Sequence, residues 1–391
     1  MDSPCKFTNL TTPIINLIKY LIVTVLFTLV APVFADSNQE SACFNKFKAS
    51  DYDSAFSICT KAAEQGDADA QYSLGMMHEM GEGAPKDYKQ AVYWYTKAAE
   101  QGHGGAQYSL GIKHASGNGT PKDDKQAIYW FTKVAEQGAA YAQYKLGVMH
   151  FNGRVTPKDD KQAFYWNTKA AEQGHARAQF NLAAMYDNGQ GTPKDDTQAF
   201  YWNTKAAEQG DADAQYKLGV MHFNGRGTPK DDKQAFYWNT KAAEQGYARA
   251  QLNLATMYDT GQGTPQDYKQ AFYWFTKAAE QGMSSAQYNL SIMHATGQGT
   301  PKDDKQAFYW NTKAAEQGMS DAQYNLGVKH ATGQGTPKDY VLSYVWWNLA
   351  AAQGNKNAER GRGDIEEEIM TPDQIAEAQK LSKEYYAKYV K

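Results

Sequence analysis

The sequence predicts an all-α protein, a right-handed α-solenoid of antiparallel helix pairs. Three observations predict it. A closing glycine recurs at Gly66, Gly102, Gly138, Gly174, Gly210, Gly246, Gly282, Gly318 and Gly354, always 36 residues apart. A tryptophan keeps the same interval from Trp94 to Trp346, and a proline keeps it from Pro85 to Pro337. Between these fixed points the apolar residues follow a helical period, and no β-type alternation appears. A fixed period of this size marks a stack of supersecondary units, each needing a neighbour to bury its apolar face.

The chain has 391 residues and a net charge of −3. Its first segment lies outside the repeat. Lys6 and Lys19 precede an apolar run from Tyr20 to Val30, and Val33-Phe34-Ala35 forms a small-residue exit. This reads as a signal peptide, 1–35, cleaved after Ala35, which places the mature chain in the periplasm or outside the cell. The rival is a retained anchor, but the run is about half the ~20 residues a span needs. Removing 1–35 takes away Asp2, Lys6 and Lys19, so the mature chain is one unit more negative. No basic footprint for nucleic acid remains, and no polybasic membrane patch.

Residues 36–66 read as a capping half-unit of two helices. Cys43 and Cys59 stay after cleavage, an even pair in a compartment that permits disulfides, and a bridge between them would staple the exposed end of the stack. Two buried free thiols are the alternative.

Eight full units fill 67–354. In the first, Ala70, Leu74 and Met77 share one face of a first helix, here the A helix. Gly81, Gly83 and Pro85 end it. Asp87 then caps a second, or B, helix, and Gln90 three residues on predicts a capping box. The Ala-Ala-Glu-Gln end favours helix, and Gly102 supplies the left-handed stop. The short connection onward makes neighbouring helices antiparallel. The stretch TPKDDKQAFYWNTKAAEQG occurs unchanged at 156–174, 228–246 and 300–318. At 355–391 the sequence predicts a capping segment. Gly361 to Asp364 reads as a break, and Thr371-Pro-Asp-Gln374 opens a last helix to about Tyr386.

The pattern A-Q-x-x-L-G-x-M-[HY]-x-x-G-x-G-T-P-x-D-x-x-Q-A-x-x-W-x-x-K-A-A-E-Q-G resembles the Sel1-like repeat, a tetratricopeptide-related helical hairpin, over about 290 residues. The tail, YVWWNLAAAQGNKNAERGR followed by MTPDQIAEAQKL, resembles the C-terminal end common in bacterial proteins of this family. Ala183, Ala255 and Ser291 depart from the Gly75 position, and Val155 from the turn glycine. The resemblance implies a protein-binding adaptor without cofactors. Some secreted relatives carry a disulfide in every repeat, and these eight repeats carry none.

The search for chemistry favours a scaffold. His78, His114, His150, His222, His294 and His330 hold one position, with Tyr186 and Tyr258 in the other two units. One His per unit cannot converge on a metal, because packed helices lie about 8–10 Å apart. Tyr at the same place indicates packing with one hydrogen bond. The pairs Asp123-Asp124, Asp159-Asp160, Asp195-Asp196, Asp231-Asp232 and Asp303-Asp304 open B helices and lack calcium-loop spacing. The Trp row reads as packing rather than as a stacking platform. GxSxG, HExxH and CxxC are absent, and SxxK is absent from the mature chain, so no enzyme is expected. A β-lactamase-like activity, known among relatives, is the remote alternative.

The units differ along one stripe of the A helix, at Asp69, Ser73, Met76 and Met80 in the first. In related solenoids this helix lines the concave surface. The stripe therefore predicts a groove for a peptide segment or partner protein, with Tyr141, Lys145, Arg177, Asn181, Asp213, Lys217, Arg249, Asn253 and Asn289 as contacts. Asn side chains donate and accept, which suits an extended backbone. An envelope polysaccharide or peptidoglycan ligand is the second reading, since the same groups suit sugar hydroxyls.

Overall fold

The computed structural model describes residues 42–153 and 158–390. The expected signal peptide and Val155 lie outside the described residues. Twenty helices form there, with no strand among the described residues. The chain divides into two compact units, 1–205 and 206–391. The described part of the first begins with the helices Ala42–Lys48 and Tyr52–Glu64, continues through three A–B pairs and enters the fourth. The second carries four pairs from Ala212–Asn224 to Tyr340–Ala352, then the helices Lys356–Glu368 and Pro372–Tyr389. Within each unit an A helix packs on the B helix of its own repeat and on the B helix before it. That is the antiparallel stacking of an α-solenoid.

The repeated letters build each pair in the same way. In repeat one the Asp87 carboxylate accepts from the backbone N–H of Lys89 and Gln90, at 2.8 and 3.1 Å. Asp123, Asp231, Asp267 and Asp303 repeat this cap. The capping box expected at Gln90 does not form. The Asp87 N–H that would donate to the Gln90 side chain is already given to the His78 carbonyl, at 2.8 Å. The same bond runs from Asp123 to His114 and from Asp303 to His294. It closes each Gly-Pro turn onto its A helix. A full capping box does form at Thr371 and Gln374.

Two further features hold the stack. Gln71 in the A helix donates to the Ala63 carbonyl at the end of the preceding helix, at 3.0 Å, and accepts from Gln101 at 2.8 Å. Gln107, Gln143, Gln251 and Gln287 occupy the same place. Each is buried, and its bond gives a helix-end carbonyl a second donor beside the N–H of the closing glycine. The second feature is close approach. At Gly75 an added Cβ would lie 2.6 Å from the Tyr95 ring, so the glycine leaves room for that ring in its present place against the A helix. Sequence reading assigned no role to these glutamines.

The ends are closed differently. Cys43 and Cys59 are joined by a disulfide. At the other end the predicted break at Gly361 is not present: Lys356–Glu368 is one helix. Gly361 lies against Trp347, where a Cβ would meet the indole at 3.2 Å, so the glycine serves packing. The last helix runs beyond Tyr386, to Tyr389. It packs on Tyr340–Ala352 through Tyr385 and Tyr389, whose rings meet Trp346 at 5.4 and 5.6 Å. Val345 stands there in place of the tyrosine found in the other repeats and is fully buried.

Candidate interaction surface

B helices present a uniform face to solvent. Tyr93, Tyr129, Tyr165, Tyr201, Tyr237, Tyr273 and Tyr309 are each about half exposed. Each edge-packs on the following tryptophan at 4.9–5.0 Å, as Tyr93 does on Trp94 and Tyr309 on Trp310. A lysine one turn on lies over each tyrosine ring, as Lys97 does at 5.9 Å. The tryptophans pack inward. Trp94 meets the core around Ala63, and Trp130 the core around Ala98. This face varies little between repeats, so it does not distinguish one part of the chain from another.

A-helix positions differ from repeat to repeat. Arg177 is exposed, and its guanidinium lies 5.8 Å from the Phe180 ring. Asn181 is half-buried and donates to the buried Asn167 amide oxygen at 3.5 Å. Arg249 is likewise exposed, and Asn253 donates to the buried Asn239 at 3.4 Å. Asn181 and Asn253 are thus each tied to an asparagine beneath, which orients the amide before any ligand arrives. Asp213, Lys217 and Asn289 are half-buried, as is Lys145. The Tyr247 hydroxyl bonds Asp213, and burial followed by that carboxylate raises the phenol above its usual range. Tyr141 is placed differently. It is buried, its ring edge-on to Tyr108 at 4.6 Å. Burial holds its phenol well above the usual range, and its hydroxyl has no hydrogen-bond partner among the described residues.

The histidines sit as packing groups. His78, His294 and His330 set their ring edges on Phe56, Phe272 and Phe308, at 5.2–5.9 Å. Tyr186 and Tyr258 make the same contact with Phe164 and Phe236. The single hydrogen bond expected of this position is not made at Nδ1 of His78, His294 or His330. No cluster of three His, Cys, Asp or Glu side chains able to hold a metal occurs among the described residues. Lys158, Lys230 and Lys302 pair with Asp160, Asp232 and Asp304 at 3.1–3.7 Å.

Two lysines escaped the sequence reading. The A-helix position held by Met77, Met149, Met185, Met221, Met257 and Met293 is Lys113 in repeat two and Lys329 in repeat eight. Both are buried. Lys113 pairs with Glu79 of the preceding A helix, and the Tyr95 hydroxyl donates to the same carboxylate at 2.7 Å. Lys329 lines a cavity of about 110 Å³ with Ser291, Ala295 and Asn325. The signal was present: charge stands where six sister repeats have methionine.

The Sel1 repeat family model matches the chain nine times, at 47–67, 68–103, 105–138, 140–175, 176–211, 212–247, 248–283, 284–319 and 320–355. Among solved structures, a Sel1 repeat protein from Oxalobacter formigenes is 33% identical with a TM-score of 0.62; the match covers 85% of this chain and 95% of that one. The protein c5321, a protective antigen present in uropathogenic Escherichia coli strains and displaying an SLR fold, is 34% identical with a TM-score of 0.58, over 86% of this chain and 80% of that one. No curated protein matches the chain.

Proposed function

Because the chain belongs to the Sel1 repeat family, whose members generally bind proteins, we propose that it is a non-catalytic scaffold that holds a polypeptide segment along its A-helix stripe. One observation carries this reading. The stripe is where repeats of otherwise near-identical sequence differ, and its central residues are solvent-accessible and pre-oriented. Arg177 and Arg249 supply charge, while Asn181 and Asn253 supply paired donor and acceptor groups for a backbone. Anchored side chains lose less freedom on binding than mobile ones. Tyr141, being buried, supports the stripe from beneath. The Cys43–Cys59 disulfide fits an oxidising compartment, which supports secretion or a periplasmic location.

The test is partner capture. Immobilised protein is compared with a variant carrying Arg177→Glu, Asn181→Ala, Arg249→Glu and Asn253→Ala, its helicity checked by circular dichroism. A polypeptide held by the first and lost by the second supports the stripe. Equal capture by both removes it. Capture of glycan alone would replace the polypeptide with an envelope polysaccharide.

A further inference from the structure

The structure points to a pocket for a glutamate side chain, supplied by a partner polypeptide, in the cavity between Ala295 and Lys329. This rests on the polypeptide-binding reading of the A-helix stripe and deepens it. The chain contains its own filled version of the site. In repeat two the buried Lys113 is met by Glu79, 34 residues earlier, on the neighbouring A helix. The ammonium also lies 4.9 Å from the centre of the Tyr88 ring. In repeat eight the residue 34 before Lys329 is Ala295. Lys329 is 7% exposed, and its ammonium makes no hydrogen bond or ion pair among the described residues. Asp304 acts on it only from a distance and is itself paired with Lys302. Burial pushes the Lys329 ammonium down.

What is missing opposite Lys329 is a carboxylate on two methylenes. The space for it is present. The cavity of about 110 Å³ is far larger than the ~10–15 Å³ that admits one water. A buried ammonium without a counter-charge is costly, and a carboxylate brought beside it in a low-dielectric site forms a strong, charge-assisted bond. The mouth also lies where a bound chain would run. Ile292, Asn325 and Val328 line the cavity and occupy the variable positions of the stripe in repeats seven and eight. Asn325 donates to the Tyr288 hydroxyl at 3.3 Å, which holds its amide at the rim. The internal precedent is a glutamate carried on a polypeptide, so a glutamate of a bound segment is the occupant with the matching reach and charge.

Ligand-observed saturation-transfer NMR on the purified protein tests this with three probes: N-acetylglutamate N-methylamide, its glutamine counterpart and N-acetylglycine. Two variants accompany it. Lys329→Met installs the side chain of six sister repeats, and Ala295→Glu rebuilds the Glu79–Lys113 pair inside the pocket. Both should fold, as circular dichroism will show. The glutamate probe should bind saturably to the unaltered protein and at least about tenfold more weakly to either variant. Ala295→Glu should also melt higher than Ala295→Gln, and that advantage should vanish in a Lys329→Met background. Equal binding of the glutamine probe, preference for N-acetylglycine, no saturable binding, or no melting advantage for the glutamate would each overturn the pocket. If it falls while partner capture still depends on Arg177 and Arg249, only the pocket is lost and the scaffold reading stands.

Discussion

Repeats two and eight carry the same exception, a lysine in place of methionine, and treat it in opposite ways. Lys113 is met by Glu79, whose carboxylate also accepts from the Tyr95 hydroxyl. Lys329 faces Ala295 and a cavity. Their glycines differ too: Gly111 lies under the Phe131 ring and Gly327 under the Trp347 indole. The lesson is that a solenoid unit is defined by its neighbours as much as by its own letters. An identical substitution is structural in one place and open to a ligand in another, because the partner residue belongs to the preceding repeat.

The largest effect should come from Gly327→Ala. Its methyl would press into Trp347, whose Nε1 donates to the Tyr324 carbonyl at 3.0 Å, so the ring cannot slide without losing that bond. A loss of about 2–3 kcal/mol is expected, at the upper end for overpacking. Gly111→Ala should cost only about 1 kcal/mol. Repeat six shows why: Ala255 already stands opposite Phe275 there, and both are buried. Urea midpoints of the two variants measure the difference. Equal losses would mean that the indole bond does not restrain the ring.

Next in size is Glu79→Ala, which gives repeat two the arrangement found in repeat eight. Lys113 would be left buried beside an empty space, at a cost of about 2 kcal/mol. That is below the full penalty for breaking a buried pair, because the Glu79 side chain is a third exposed. Chemical denaturation reads the change, and the new cavity should make Lys113 accessible to acylating reagents, as Lys329 is expected to be.

Lys113→Met and Lys329→Met separate the two lysines directly. The first leaves the Glu79 carboxylate with the Tyr95 hydroxyl but without its cation and should cost about 1 kcal/mol. The second removes a buried charge that has no counter-ion, and should leave stability unchanged or raise it by up to about 1 kcal/mol. A matched loss from both, in parallel urea titrations, would show that Lys329 has a stabilising partner.

Much of this fold was legible because the repeat displays itself. The caps at Asp87 and its equivalents, the glycine stops and the antiparallel pairs follow from local chemistry. The capping box failed at Gln90 for a reason no single helix reveals: the Asp87 N–H belongs to the His78 carbonyl across the turn. Gly361 was misread in the same way, since its reason is the indole of another helix. The stripe was visible as variation, but its depth was not. Tyr141 and Arg177 occupy one repeat position, and one is buried while the other is exposed. Packing between repeats, such as Tyr141 on Tyr108, decides that difference. The glutamine ladder and Lys329 are likewise properties of neighbours.

The smallest effect is on pH dependence, and repeats two and eight should show it with the same sign. Burial lowers the affinity of His114 and His330 for a proton below that of an exposed imidazole, while Asp123 and Asp339 oppose this in part. The unfolded chain therefore binds more protons near pH 6.5 than the folded one. Stability from these groups is fully present above that value and declines as pH falls through and below it. His330 is buried and His114 only partly so, which makes the His330 contribution the larger. Tyrosine fills this site naturally at Tyr186 and Tyr258, so His330→Tyr and His114→Tyr should fold. Urea midpoints at pH 7.5 and 5.5 should draw closer together in either variant, and more so for His330→Tyr. If neither substitution flattens the profile, the imidazoles are not what destabilises the protein in this window.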